Sequence, residues 1–467
     1  MHLTAIDEAP MSRFHRKLAV ACSGGPLLDG YLLSIIGIAL AGIGADLGLG
    51  STETAMIGVA ALVGMFFGGL IIGPVTDRVG RRVMYIIDLA VLLTASVACA
   101  FVTSAWQLIV LRLIVGFAIG ADYPIATSLL TEWVPKQQRA RMMGVLIIAW
   151  YAGAAGAYFV GYVLAQSAGH GAWRWMLASA ALVSAAVIAL RHGTPESPRW
   201  LVAKGRPEEA SALIAEVLDV RVSPEDLVAA HSSTARRGSV AELFRGIYLR
   251  RTAFCALFYT CAVIPLWALY IFGPTILGTF GLGSGNLSNL GSALITLLFL
   301  AGTLPAMRAL ETVGRRRMIT WSFAAMVPPL LILGIWPSAP VAVVILCFCL
   351  YGLFSGAPNI LEWAYPNELF PTSIRASAVG MAVALSRFGA AAGTYLVPVS
   401  LTHLGTGTTM WIGAAITAAG WLICLAWAEE TSNRPLEEAG ATVTGGTTAT
   451  PRPGKAAVPT DAAPLAE

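Results

Sequence analysis

Twelve stretches of this chain, each of roughly 20 or more mostly apolar residues, are long enough to cross a ~30 Å hydrocarbon layer as a helix rising ~1.5 Å per residue. They fall at approximately 18–43, 55–76, 83–102, 106–130, 142–166, 173–191, 252–279, 287–310, 317–336, 340–363, 376–402 and 408–428. MIGVAALVGMFFGGLIIGPV (56–75) is representative. Hydrophobic residues make up 57% of the 467 and charged residues only 12%. A soluble chain carries about a quarter charged residues, so this one is built for another solvent. The sequence predicts an all-α polytopic membrane protein with twelve transmembrane helices.

The first run follows a polar segment with Arg13, Arg16 and Lys17, exceeds a signal-peptide core and shows no cleavage site. All seven cysteines lie inside apolar runs, which argues against a disulfide scaffold, and Cys347-Phe-Cys349 lacks neighbouring ligands for zinc. Of the 30 Lys and Arg residues, Arg112 and Arg387 fall inside runs and Arg174 in the fifth connection. The others occupy the N-terminus, the even-numbered connections with their flanking helix ends, and the C-terminus. The opposite connections (45–54, 103–105, 280–286, 337–339, 403–407) have none. This positive-inside pattern predicts a multi-pass plasma (inner) membrane protein with both termini cytoplasmic. The net charge of +4 is thereby topogenic, and no nucleic-acid partner is expected.

Residues 193–250 form the longest internal polar segment. GRPEEASALIAEVLDV and SPEDLVAA each place a proline at a helix start with acids in the first turn, so short amphipathic helices are expected, Ser223 capping the second. The segment 431–467 is small, polar and proline-containing, a composition of disordered tails. The linker divides six runs from six, and the halves align. Glu132, Pro135, Arg139, Ala140 and Gly144 map onto Glu368, Pro371, Arg375, Ala376 and Gly380 at an offset of 236, and DRVGRR (77–82) maps onto ETVGRR (311–316) at 234. The predicted organisation is two pseudo-symmetric six-helix bundles, 1–192 and 251–430, joined by a cytoplasmic linker (193–250) and followed by a cytoplasmic tail (431–467). Parallel halves of this kind suit rocking about a central site.

The repeated acids and bases suggest a cytoplasmic gate: Asp77, Arg78, Arg81, Glu132 and Arg139 in one half, Glu311, Arg315, Glu368 and Arg375 in the other. An acid near a helix C-terminus opposes the macrodipole unless a cation compensates. Exposed pairs contribute only ~0–1 kcal/mol each, so only a network of them sets a balance of states. The plainer alternative is that these charges are topogenic only.

GPVTDRVGRR (73–82) resembles the loop 2–3 signature of the major facilitator superfamily, and ETVGRR its weaker echo. PESPRWL (195–201), NELFPTSIRASAVG (367–380) and EETSNRPLEE (429–438) resemble sugar-porter signatures, the last in degraded form. The resemblance spans about residues 18 to 438. It implies a transporter working by alternating access, with the first and fourth helices of each half lining a central cavity. IPLWALYIFGPTIL (264–277) lacks the glutamine pair of sugar porters, GADYP (120–124) is more similar to phosphate and organic-ion proton symporters, and DGY (29–31) resembles a motif of aromatic-acid and metabolite symporters, with Leu32 in place of their second acid.

An ionised side chain at mid-bilayer costs ~2.5–3.5 kcal/mol on insertion scales, so each one needs a reason. Asp29 is the leading proton-coupling candidate, because a carboxylate moving between water and a dry cavity changes its proton affinity. With the cavity placement the resemblance implies, Arg112 is its expected counter-charge; the alternative is a permanent Asp–Arg pair. Asp122 lies ~15 Å along the helix from Arg112 and is either a second proton carrier, a contact for a cationic substrate, or a satisfier of a kink at Tyr123-Pro124. Asp88, about a turn into its run, is expected near the headgroups in a structural role. Glu362 and Arg387 are substrate-binding candidates. The guanidinium grips carboxylate or phosphate in a bidentate fork, against the alternative of a bridge to Glu362. Pro358 and Pro366 are expected to unwind the segment around Glu362.

Trp150, Tyr151, Trp267, Tyr270 and Trp363 are candidates to shape the pocket, whereas Trp106, Trp173, Trp336 and Trp411 read as interfacial anchors. Glycines 64, 68, 153, 156, 389 and 393 read as close helix contacts. These residues together point to secondary active transport of a small polar metabolite (sugar, polyol or organic acid) by proton symport, working as a monomer in the lipid bilayer. The proton gradient takes the place of a cofactor, and no metal is expected. Facilitated diffusion and a transporter-fold receptor are the alternatives. There is no nucleotide-binding loop, and no constellation of an enzyme.

Overall fold

The computed structural model describes residues 10–135, 139–167, 169, 171–234, 240–280, 286–370 and 372–431. Its first six long helices are α1 (Arg13–Leu47), α2 (Ser51–Val79), α3 (Arg81–Cys99), α4 (Ala105–Trp133), α5 (Arg139–Ser167) and α6 (Ala172–Arg191). Three short linker helices follow: α7 (Pro198–Ala203), α8 (Pro207–Leu218) and α9 (Pro224–Thr234). The second set is α10 (Gly246–Thr279), α11 (Asn286–Thr312), α12 (Arg315–Ile335), α13 (Val341–Leu369), α14 (Thr372–His403) and α15 (Gly405–Trp427). Among the described residues eleven of the twelve long helices are apolar enough throughout to span a bilayer. The described apolar part of α11 is Leu290–Ala306. Long helices are the expected outcome, since in hydrocarbon each backbone N–H and C=O must find its partner within the segment.

The packing repeats between the halves. In the first, α2 packs on α4, α1 on α4, α5 and α6, and α3 on α4 and α6; in the second, α11 packs on α13, α10 on α13, α14 and α15, and α12 on α13 and α15. The architecture is therefore two pseudo-symmetric six-helix bundles. The apolar windows of α1 and α10 are 78% and 72% buried, against 33–50% for the other spanning helices, so these two form the shared centre. Leu70, Phe159, Leu182 and Leu422 are exposed on the outer surface, as lipid-facing residues must be. The bundles meet most extensively where α1 packs on α10, α2 on α14, and α5 on α11.

The linker helices enclose a small core of Leu201, Ala210, Ile214, Val222 and Leu227. Through Leu213, Val217 and Leu218 it leans on the cluster containing Trp133 and Met142 at one end of the first bundle. Asp226 N–H donates to Ser223 Oγ at 3.1 Å, the expected cap. This end is called the linker side below.

Both bundles close their linker side with the same device. Gly80 (φ 111°) and Gly314 (φ 90°) precede α3 and α12 in a left-handed conformation that disfavours a side chain. Glu196, just beyond α6, accepts from Arg82 N–H at 3.1 Å; Glu430, just beyond α15, accepts from Arg315 and Arg316 N–H at 3.0 and 3.2 Å. Each carboxylate thus answers the unpaired N–H groups and positive end of a helix.

Candidate functional site

Three ionisable side chains from three helices approach the junction of the bundles without an ion-pair partner. Asp29 (α1) is 1% exposed, and neither carboxylate oxygen has a hydrogen bond. The charges it faces are Asp122 and Arg191 from its own bundle and Arg387 from the other. Glu362 (α13) is buried, its Oε1 lacks a partner, and it faces Arg387 and the Tyr259 hydroxyl. Arg387 (α14) places its guanidinium 5.4 Å from the Trp267 ring centroid and makes no hydrogen bond or ion pair among the described residues. The alternative, a bridge between Glu362 and Arg387, is not formed. Nor does the chain unwind beside Glu362, for α13 runs unbroken through Pro358 and Pro366. Neighbouring helices and local adjustment keep a proline tolerable inside a membrane bundle.

Arg112 is not the counter-charge of Asp29. Its Nη1 donates to the Leu32 carbonyl at 3.0 Å, about one turn beyond Asp29 on α1, and its Nε and Nη2 have no partner. The guanidinium reaches the right helix at the wrong level.

Asp122 is committed elsewhere. Its Oδ1 lies 2.9 Å from Arg191 Nη1, with the two side chains 0% and 1% exposed. Arg191 also donates to the carbonyls of Ala21 and Tyr85, both at 3.3 Å, and lies 3.4 Å above the Tyr85 ring. Asp88 adjoins Asp122, with Leu89 N–H donating to its Oδ1 at 2.7 Å and its Oδ2 lacking a partner in the described structure. Asp88 is 3% exposed, turned into the bundle beside this pair. The pair presses on α1 at Gly25, where any Cβ would collide with Asp122 Oδ2 and Arg191 Nη2. Helix α4 is continuous through Pro124, so Asp122 does not serve a break.

An aromatic wall spans the junction. Trp150 (α5) meets Trp267 and Tyr270 (α10) edge to face at 5.9 and 4.9 Å, and Tyr151 stacks on Phe299 (α11) at 6.4 Å. Tyr158 Oη donates to the Tyr270 carbonyl at 2.6 Å, and Asn359 Nδ2 to Tyr151 Oη at 2.7 Å. All four aromatic candidates with described side chains, Trp150, Tyr151, Trp267 and Tyr270, thus gather in one place; the side chain of Trp363 is not among those described.

Of the gate residues, Arg315 and Glu368 pair at 3.1 Å, with Thr431 Oγ1 donating to Glu368. Arg251 adds a fork onto Glu429 at 2.7 and 3.1 Å and donates to the Leu369 carbonyl at 2.8 Å. The side chains of Asp77, Arg78, Arg81, Glu132, Arg139, Glu311 and Arg375, and the segment 432–467, lie outside the described residues. Among those described, the linker-side polar contacts stay within one bundle, whereas the contacts between bundles lie at mid-depth or on the far side. There Gly37 abuts Ile271, and Gly58 abuts Phe272. Gly64, Gly68, Gly153, Gly389 and Gly393 also meet neighbouring helices, but Gly156 faces open space.

Arg191, Asn359 and Phe299 escape a reading of the sequence alone. Arg191 opens a string of loop charges, and Phe299 is indistinguishable from a lipid-facing phenylalanine. Asn359, an amide within an apolar run, carries a signal that its burial would have repaid.

Residues 17–442 match the family model described as sugar (and other) transporter. The chain is 40% identical over 432 residues to the putative metabolite transport protein YaaU of Escherichia coli (strain K12), covering 92% of this chain and 96% of that one. It is 35% identical to the inner membrane metabolite transport protein YgcS of the same organism, covering 93% and 96%. Among solved structures, the partially occluded inward open conformation of the xylose transporter XylE from E. coli superposes with a TM-score of 0.80 at 19% identity, covering 91% and 100%. That likeness is one of fold.

Proposed function

Because the chain belongs to the sugar (and other) transporter family of the major facilitator superfamily, and is thus a multi-pass transporter of sugars or other metabolites, we propose that it takes up a small polar metabolite by proton symport, with Asp29 as the proton site. The observation that carries this is Asp29 itself: a carboxyl group 1% exposed and without a hydrogen bond, on which the charges of Asp122 and Arg191 and, from the other bundle, Arg387 act. An unpartnered carboxylate in a dry site favours its protonated form, and opening the site to water or bringing a guanidinium closer favours release. Rocking of the bundles changes both conditions at once.

Asp122 and Arg191 hold α1, α3, α4 and α6 together as the rigid part of the first bundle, and Arg112 ties α4 to α1. The aromatic wall and Arg387 face the solute. The test is uptake into proteoliposomes of a metabolite panel, with and without an inward proton gradient, by the native chain and by Asp29→Asn. The native chain concentrates one solute only with the gradient, and Asp29→Asn equilibrates it without concentrating it. Concentration by Asp29→Asn with an unchanged pH response rejects the assignment.

A further inference from the structure

Resting on the symport reading, we propose that the solute is a small monocarboxylate with a planar apolar body, that its carboxylate replaces Asp29 as the counter-charge of Arg387, and that one proton travels with each anion. Arg387 offers five N–H donors in a rigid fork, and none is engaged among the described residues. A neutral polyhydroxylated solute would leave that charge unanswered. It would also need a set of amide and carboxylate partners for its hydroxyls, and the buried amide at the junction, Asn359, already donates to Tyr151. Beneath the guanidinium lies Trp267, flanked edge to face by Trp150 and Tyr270, a surface for a flat apolar body rather than for a ring of hydroxyls.

The stoichiometry follows from keeping the buried site near neutrality in both states that cross the membrane. In the loaded carrier Arg387 is balanced by the solute anion, and Asp29 and Glu362 are both protonated. In the empty carrier Arg387 is balanced by ionised Asp29, and Glu362 keeps its proton. The two states differ by one anion and one proton, so the cycle is electroneutral. Asp29 is assigned the titration because both of its oxygens lack partners, and the charges of Asp122, Arg191 and Arg387 act on it from both bundles.

The test is calorimetric titration of the full chain in lipid nanodiscs with benzoate, its neutral isostere benzamide, and D-xylose. Benzoate binds at pH 5.5 and weakens by about ten-fold per pH unit once Asp29 ionises; benzamide and D-xylose bind at least ~ten-fold more weakly. Arg387→Lys, which keeps the charge and loses the fork, weakens benzoate by roughly ten-fold while preserving the pH slope. Asp29→Asn binds benzoate with no pH slope. Absence of benzoate binding at pH 5.5, equal binding of benzamide, or an unchanged slope in Asp29→Asn overturns the proposal. If a neutral solute nonetheless accumulates with a proton gradient, the symport reading stands and this one falls. If benzoate binds as described while no solute accumulates, the anion site stands, and the symport reading falls together with the one-proton stoichiometry that rests on it.

Discussion

Arg191 Nη1 lies 2.9 Å from Asp122 Oδ1, joining the last residue of α6 to the interior of α4 where neither side chain meets solvent. The guanidinium is further held by two backbone carbonyls and the face of Tyr85. Breaking such a pair from one side leaves an uncompensated buried charge, which costs ~3–5 kcal/mol. Asp122→Ala therefore lowers the thermal midpoint of the detergent-solubilised chain steeply. Asp122→Leu combined with Arg191→Met recovers much of the loss, because it removes both charges together.

Gly25 is the point where this pair meets α1. A methyl group there has to displace Asp122 and Arg191 from contacts that hold them on several sides. Gly25→Ala is expected to destabilise by ~1–3 kcal/mol, the usual penalty for overpacking a filled interior. Gly156→Ala, one helix away and facing open space, is expected to leave the thermal midpoint unchanged and serves as the comparison.

The helices and their pairing in two halves were legible because length and hydropathy report directly on crossing a membrane, and because two motifs repeat at nearly one offset. What a sequence does not carry is the azimuth of a side chain around its helix. Arg112 and Asp29 both lie deep in their runs, yet the guanidinium meets α1 beside Leu32 rather than Asp29. Arg191 was hidden for a different reason. Its neighbours in RHGTPESPRW make any arginine there look topogenic, although its side chain turns back into the bundle and ends 1% exposed. Pro358 and Pro366 of α13 misled because a break that isolated propensity favours is suppressed by the surrounding helices.

The hydrogen bond from Asn359 to Tyr151 crosses between the bundles, so it favours the arrangement in which they meet at mid-depth. A neutral hydrogen bond contributes about 0.5–1.5 kcal/mol net, enough to move a conformational equilibrium up to roughly ten-fold. Tyr151→Phe removes the acceptor while keeping the ring against Phe299 and Tyr270. In a background stripped of native cysteines, Gly58→Cys, which abuts Phe272 of the other bundle, is then alkylated several-fold faster than with Tyr151 present. An unchanged rate shows that the bond does not hold the bundles together.

The two glutamates that follow α6 and α15 give a prediction whose value lies in its symmetry. Glu196 and Glu430 are separated by the same offset, 234 residues, as the GRR triplets whose helices they cap. In each case a carboxylate meets backbone N–H groups beside a glycine of positive φ. Replacing it by glutamine keeps an oxygen that accepts a hydrogen bond and removes the charge that favours a helix N-terminus, a change of ~0.3–1 kcal/mol at a partly exposed site. Glu196→Gln and Glu430→Gln should therefore lower the thermal midpoint by similar small amounts, and alanine at either position by more, since the cap is then lost as well. The residues lie in different bundles without shared partners, so the double variant should show the sum of the two effects. A double variant that falls well below that sum would mean that the linker-side ends of the two bundles act on one another, which the contacts among the described residues do not provide for.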